Sequence, residues 1–124
     1  MTDSAFRGIW RIVWMSNWDQ DFVDMEVPGH FTFEDDRQGS FQFGLVQGGM
    51  DCRPDGKRPG RVEFTWSGSD ECDEASGRGQ AEIVKGELHG HLWFHQGDDS
   101  AFRAVRQEAA AKTPRKRKGG SEPA

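Results

Sequence analysis

No stretch of these 124 residues approaches the ~20 consecutive apolar positions that cross a bilayer as a helix. The opening MTDSAFRG also lacks the basic patch and apolar run of a secretory leader. The expectation is a soluble, cytoplasmic chain with no membrane partner. Cysteine is scarce, with only Cys52 and Cys72. If the runs flanking PDGKRPG (54–60) pair as a hairpin, partner numbers sum to about 114 and Cys72 falls on the order of 30 Å from Cys52. A disulfide needs Cα atoms within about 7 Å, so both are expected to stay thiols in a reducing compartment. The familiar catalytic signatures are missing too: no Gly-x-Ser-x-Gly, no His-Glu-x-x-His and no glycine-rich loop leading from a strand into a helix. SGRGQ (76–80) opens a strand, so it lacks the helix dipole that favours phosphate. No cofactor is implied.

Apolar content is low at 34%, but nine Phe and five Trp carry much of it, beside sixteen Gly and five Pro. A few large rings, short alternating runs and many turn formers point to strands joined by tight turns in one domain. Residues 4–16, SAFRGIWRIVWMS, show the clearest start: Phe6, Gly8, Trp10, Ile12 and Trp14 share one parity, the period of a strand with one face on a core. Trp10 and Trp14 are expected inside. In residues 17–30, Trp18, Phe22 and Met25 recur at helical spacing behind Asn17 as a cap, and Pro28-Gly29 ends the segment. It is read as a lid over one end of a barrel.

Phe31 and Phe33 mark a short strand, and Phe41, Phe43 and Leu45 the next. Met50 and Cys52 take the opposite parity, which calls for a bulge at Gly48-Gly49 or a reversal there; a bulge is favoured. Val62, Phe64 and Trp66 alternate cleanly, and 68–79 reads as an acidic loop. Ala81 and Ile83 follow, then a reversal at Lys85-Gly86 into Leu88, Leu92 and Phe94, and a turn at 97–100 into the last run. The resulting fold class is all-β, an antiparallel up-and-down barrel of seven or eight strands over residues 1–106, its interior mostly filled by rings. Residues 107–124 are expected to form a disordered basic tail.

Charge is uneven. Residues 1–106 hold 11 Lys and Arg against 19 Asp and Glu, and residues 107–124 hold 5 against 2. An acidic body argues against a nucleic-acid face; only TPRKRK (113–118) could hold nucleic acid weakly. His89, His91 and His95 lie on one parity of one strand, a weak pattern for a shared metal ion, but that face is expected outside. The carboxylates near 19–24 and 70–74 lack the spacing of a calcium loop and read as solvated charge.

The opening Gly8-x-Trp10 resembles the first strand of lipocalin-like and avidin-like barrels, the calycins. That resemblance implies an Arg of the last strand lying across the Trp, with Arg103 and Arg106 as the candidates. The blocks WDQDFVDMEVPG, FQFG with MDCR, EFTWSGSDE, SGRG and GDDS are similar to a widespread set of short bacterial proteins of unknown function, which implies a shared fold and no site residues. The expected function is non-catalytic binding by a small-molecule carrier or sensor. Its contact region is the barrel mouth, with Trp18, Asp19, Asp21, Asp70, Glu71 and Arg78. A protein-interaction module without a ligand is the alternative, and a small hydrolase or isomerase using Asp and His the third reading. A cavity would favour the first, a filled barrel with an exposed apolar patch the second.

Overall fold

The structure is a computed structural model that describes residues 5–35 and 37–107; the basic tail beyond Gln107 lies outside the described residues. Eight strands follow in order: β1 (Gly8–Met15), β2 (His30–Phe33), β3 (Gln38–Phe43), β4 (Val46–Pro54), β5 (Arg61–Asp70), β6 (Asp73–Val84), β7 (Glu87–Phe94) and β8 (Asp99–Arg106), with one helical turn, α1 (Gln20–Val23), after β1. Each strand pairs antiparallel with its neighbour in sequence and β8 returns to β1, closing the barrel. Closure leaves no unpaired sheet edge. No described helix is long and apolar enough to cross a membrane.

Rings fill the interior, and glycines make room for them. Trp10, Phe31, Phe33, Phe43 and Phe102 are all buried, and Phe31 stacks on Phe102 with centroids 4.4 Å apart. Glycines stand where strands meet this packing. A Cβ on Gly48 would come within 2.9 Å of the Phe41 ring, and one on Gly79 within 2.4 Å of Phe64. Large and small inward residues thus complement each other across the barrel, as close packing requires. Trp10 is tied at both ends: its indole N–H donates to the Phe6 carbonyl at 2.9 Å, and the Arg106 guanidinium lies 4.1 Å over its ring. Arg106 also donates to the carbonyls of Ala5 and Arg7. Gly8, with φ at +125°, brings the backbone close to that guanidinium; a Cβ there would lie 2.9 Å from it. Arg103 faces outward and pairs with Glu87 at 3.5 Å.

Several sequence expectations are corrected. Trp14 is 47% exposed, because the β1–β8 register shifts between Ile12 and Trp14. That bulge turns Trp14 out and Met15 in. Gly48-Gly49 is neither bulge nor corner: the chain reverses earlier, at Gly44-Leu45 between the paired Phe43 and Val46, and this two-residue turn produces the change of parity. Residues 68–79 are no loop, since β5 and β6 run on to a tight turn at Glu71-Cys72, with Asp70 opposite Asp73. Cys52 faces Phe64, two positions beyond the expected partner, and neither cysteine is in a disulfide. Asp19, not Asn17, caps α1 by accepting from the Phe22 amide at 3.0 Å. Met25, expected on the apolar side of the lid, is 53% exposed.

Candidate functional site

The segment from Trp18 to Gly29 closes one end of the barrel. Trp18 packs on Phe22, Phe43 and Phe94, Val23 is buried, and the Gly44 amide donates to the Val23 carbonyl. Asp24 locks the segment in place. Its carboxylate accepts from the Gly29 amide at 2.8 Å, from Gln20 Nε2 at 3.0 Å and from Arg11 Nη2 at 3.1 Å, and Gln20 Nε2 also donates to the Ile12 carbonyl. Burial works to raise the Asp24 pKa, but the Gly29 amide, Gln20 and Arg11 outweigh it and hold the carboxyl below its ordinary value. A carboxyl whose folded pKa lies below its unfolded one stabilises the fold above the unfolded value, and this contribution is lost as pH falls through the folded one. Asp24→Asn is therefore expected to cost about 1.5–3 kcal/mol at neutral pH, with a shallower loss of stability on acidification below about pH 4 than wild type. Thermal melts of both proteins across that range check this.

At the same end, a cleft of about 370 Å³ has Trp18 and Phe94 at its floor and Asp70, Asp73, Glu74 and Asp98 on its rim. Of the six mouth residues, only Trp18 and Asp70 meet here. Asp19 is spent on its cap, Asp21 is exposed on α1, and Glu71 sits in the β5–β6 turn. Segments 17–26, 70–74 and 98–99, all at this end, carry many carboxylates and no Lys or Arg. That charge opposes phosphate binding there.

Arg78 lies elsewhere, on the outer wall of β6. The register places it between Thr65 of β5 and Trp93 of β7, and its guanidinium sits 5.1 Å over the Trp93 ring. The His91 ring lies 4.4 Å from the same indole, and its Nε2 is hydrogen-bonded to Asp99 at 2.5 Å. Two grooves share Thr65, Arg78 and Trp93. One, of about 380 Å³, extends toward Asp51, Arg53 and Gln80; the other, of about 580 Å³, extends toward Ser76, His95 and Gln96. Trp93 was missed as a site residue, although its place between His91 and His95, off the parity of Leu92, marks it as outward.

A third surface covers the outside of β1. Ile9, Val13, Trp14, Met25 and Val27 are the large apolar side chains left exposed among the described residues. The Ile12 amide donates to the Gly29 carbonyl, so the segment that carries Met25 and Val27 joins β1 on its β2 side, while Arg103 faces Trp14 from β8. Ile9 and Val13 face outward by their parity, and only the bulge, which no residue pattern announces, adds Trp14 to them.

The three histidines do not converge. His89 turns to Glu87 at 3.1 Å, His91 to Asp99, and His95 lies past the end of β7 with its amide donating to the Ser76 carbonyl. Among the described residues no group of three or more His, Cys, Asp or Glu is placed to hold a metal ion. For hydrolysis or isomerisation, His91 and Asp99 are the nearest acid–base pair, but Asp99 is 51% exposed and no described hydroxyl or thiol is hydrogen-bonded to His91. The chain matches no family model, no curated protein and no solved structure.

Proposed function

We propose that this chain is a non-catalytic binding module that works through its outer wall, and that its partner on β1 is a second copy of itself. The observation that carries this reading is the contrast between two indoles: Trp10 is 1% exposed inside a barrel filled by rings, while Trp14 is 47% exposed outside. A Trp amid smaller apolar side chains is the composition of an interface centre. The flanks favour self-association. Arg103 borders Trp14 on the β8 side, and the segment from Asp24 to Gly29, with the exposed Glu26, joins β1 on its other side. A two-fold axis parallel to β1 therefore sets the basic flank of one copy against the acidic flank of the next.

Sedimentation velocity over a concentration series tests this. Wild type is expected to shift reversibly toward a dimer, and Trp14→Ser to weaken the association about 30-fold while melting near the wild-type temperature. A wild type that stays monomeric throughout, indistinguishable from Trp14→Ser, refutes it.

A small-molecule sensor is the second reading, supported by the grooves beside Arg78 and Trp93 on the wall of β5–β7. The Arg106–Trp10 contact supports kinship with calycin barrels, although the ring packing leaves the outer wall as the place for a ligand.

A further inference from the structure

We infer that Arg78 is the centre of an oxyanion site on the outer wall, which takes the carboxylate or phosphate of a small organic molecule. The inference does not depend on self-association. Most arginines of the barrel are already engaged. Arg11 pairs with Asp24, Arg58 with Glu82, Arg61 with Asp55 and Glu63, and Arg103 with Glu87, while Arg106 is held by carbonyls. Arg53 has Asp51 at 3.9 Å. Arg78 has no ion pair among the described residues, yet its guanidinium is not left to wander.

Its position is set by a relay across three strands. Asp99 of β8 holds His91 of β7, the His91 ring lies against Trp93, and Trp93 carries the guanidinium on its face. A cation over an indole is attracted to the ring quadrupole, and among the described residues no oxygen is hydrogen-bonded to the Arg78 guanidinium. The N–H edges, whose fork matches a carboxylate or phosphate, remain for a ligand. Thr65, directly across from Arg78 on β5, adds a hydroxyl donor, and Gln80 lines the same groove.

The carboxylates of that groove do not fill the role of ligand. Asp51 lies beside Arg53, and Glu63 is bound by Arg61 at 3.2 Å. Arg61 also donates to Gln80 Oε1. A preorganised donor with its counter-charges already neutralised loses little freedom on binding. The two grooves leave space for the organic part of the molecule on either side of the guanidinium.

The test titrates the full chain with inorganic phosphate and, separately, with benzoate, following the indole N–H resonances by NMR. Saturable binding that moves the Trp93 signal is expected with at least one anion. Arg78→Gln should weaken it about tenfold or more and Arg78→Lys by less, since lysine keeps the charge but loses the fork. Arg37→Gln, which removes a guanidinium from the β2–β3 turn, should leave binding unchanged. Binding of phosphate alone assigns the site to phosphate esters, and binding of benzoate alone to carboxylates. The inference is overturned if neither anion saturates, if Arg78→Gln binds as wild type does, or if Arg37→Gln lowers affinity as much as Arg78→Gln.

Discussion

Replacing Trp10 by Ala should cost about 3–5 kcal/mol, the range for deleting a fully buried large ring, and so remove much of the 5–15 kcal/mol typical of a whole domain (~10 kcal/mol). Three losses coincide at this position. The ring is 1% exposed and leaves a cavity that barrel walls, fixed by hydrogen bonds on both sides, close poorly. The Phe6 carbonyl loses its indole donor, loosening the segment that caps the Gly8 end. Arg106 loses the face on which it lies. Trp10→Phe should recover part of the loss, because it restores apolar volume but not the N–H bond. Urea unfolding checks both variants: the midpoint should fall far for Ala and less for Phe. A Trp10→Ala protein as stable as wild type would mean that the ring does not organise the core.

Gly90→Ala is expected to be nearly as damaging, at about 3 kcal/mol, the upper end of the range for overpacking a well-filled interior. Gly90 lies in β7 between the buried Leu88 and Leu92. A Cβ there would stand 2.1 Å from the Gln80 carbonyl oxygen and 2.5 Å from the Phe102 ring. Rotation of Phe102 could relieve the second contact but not the first, so β6 and β7 must part. Gly49→Ala serves as the comparison: it has the same chemistry, but its added Cβ meets nothing within 4 Å. It should melt within a few degrees of wild type, whereas Gly90→Ala should melt about 15 °C lower, taking roughly 5 °C per kcal/mol for a domain of this size. Equal melting temperatures for the two variants would contradict the packing of rings against backbone.

These two positions also show why the fold was largely legible and the sites only partly so. Val62, Phe64 and Trp66 alternate because β5 has one wet face and one dry one, and strict alternation survives in sequence. The Lys85-Gly86 reversal was equally readable, since both residues adopt positive φ in a two-residue turn. Residues 68–79 read as a loop because the inward positions of β6 hold the small Ala75, Gly77 and Gly79, and a Cβ on either glycine would meet Trp66 or Phe64 of β5. Inward glycine and outward carboxylate together look like a loop. The bulge that expels Trp14 depends on where β8 pairs with β1, a tertiary fact with no local signal. Asp19 caps α1, and in a sequence a capping aspartate and a ligand-binding one look the same until the neighbours are known. Arg78 lies on the same β5–β6 hairpin as Asp70 and Glu71 but farther from its turn, opposite Thr65, a separation along the strand that shows only once residues 68–79 are known to be paired.

The most direct test is to follow the indole N–H resonances of wild-type protein through a dilution series, with Trp10 assigned from the Trp10→Phe spectrum and Trp14 from the Trp14→Phe spectrum. If the barrel is full and binds by its outside, the Trp14 signal should move with concentration while those of Trp10 and Trp66 stay fixed. A Trp14 signal that ignores concentration, together with a Trp10 proton that exchanges as fast as an exposed one, would contradict both the filled interior and the outward contact.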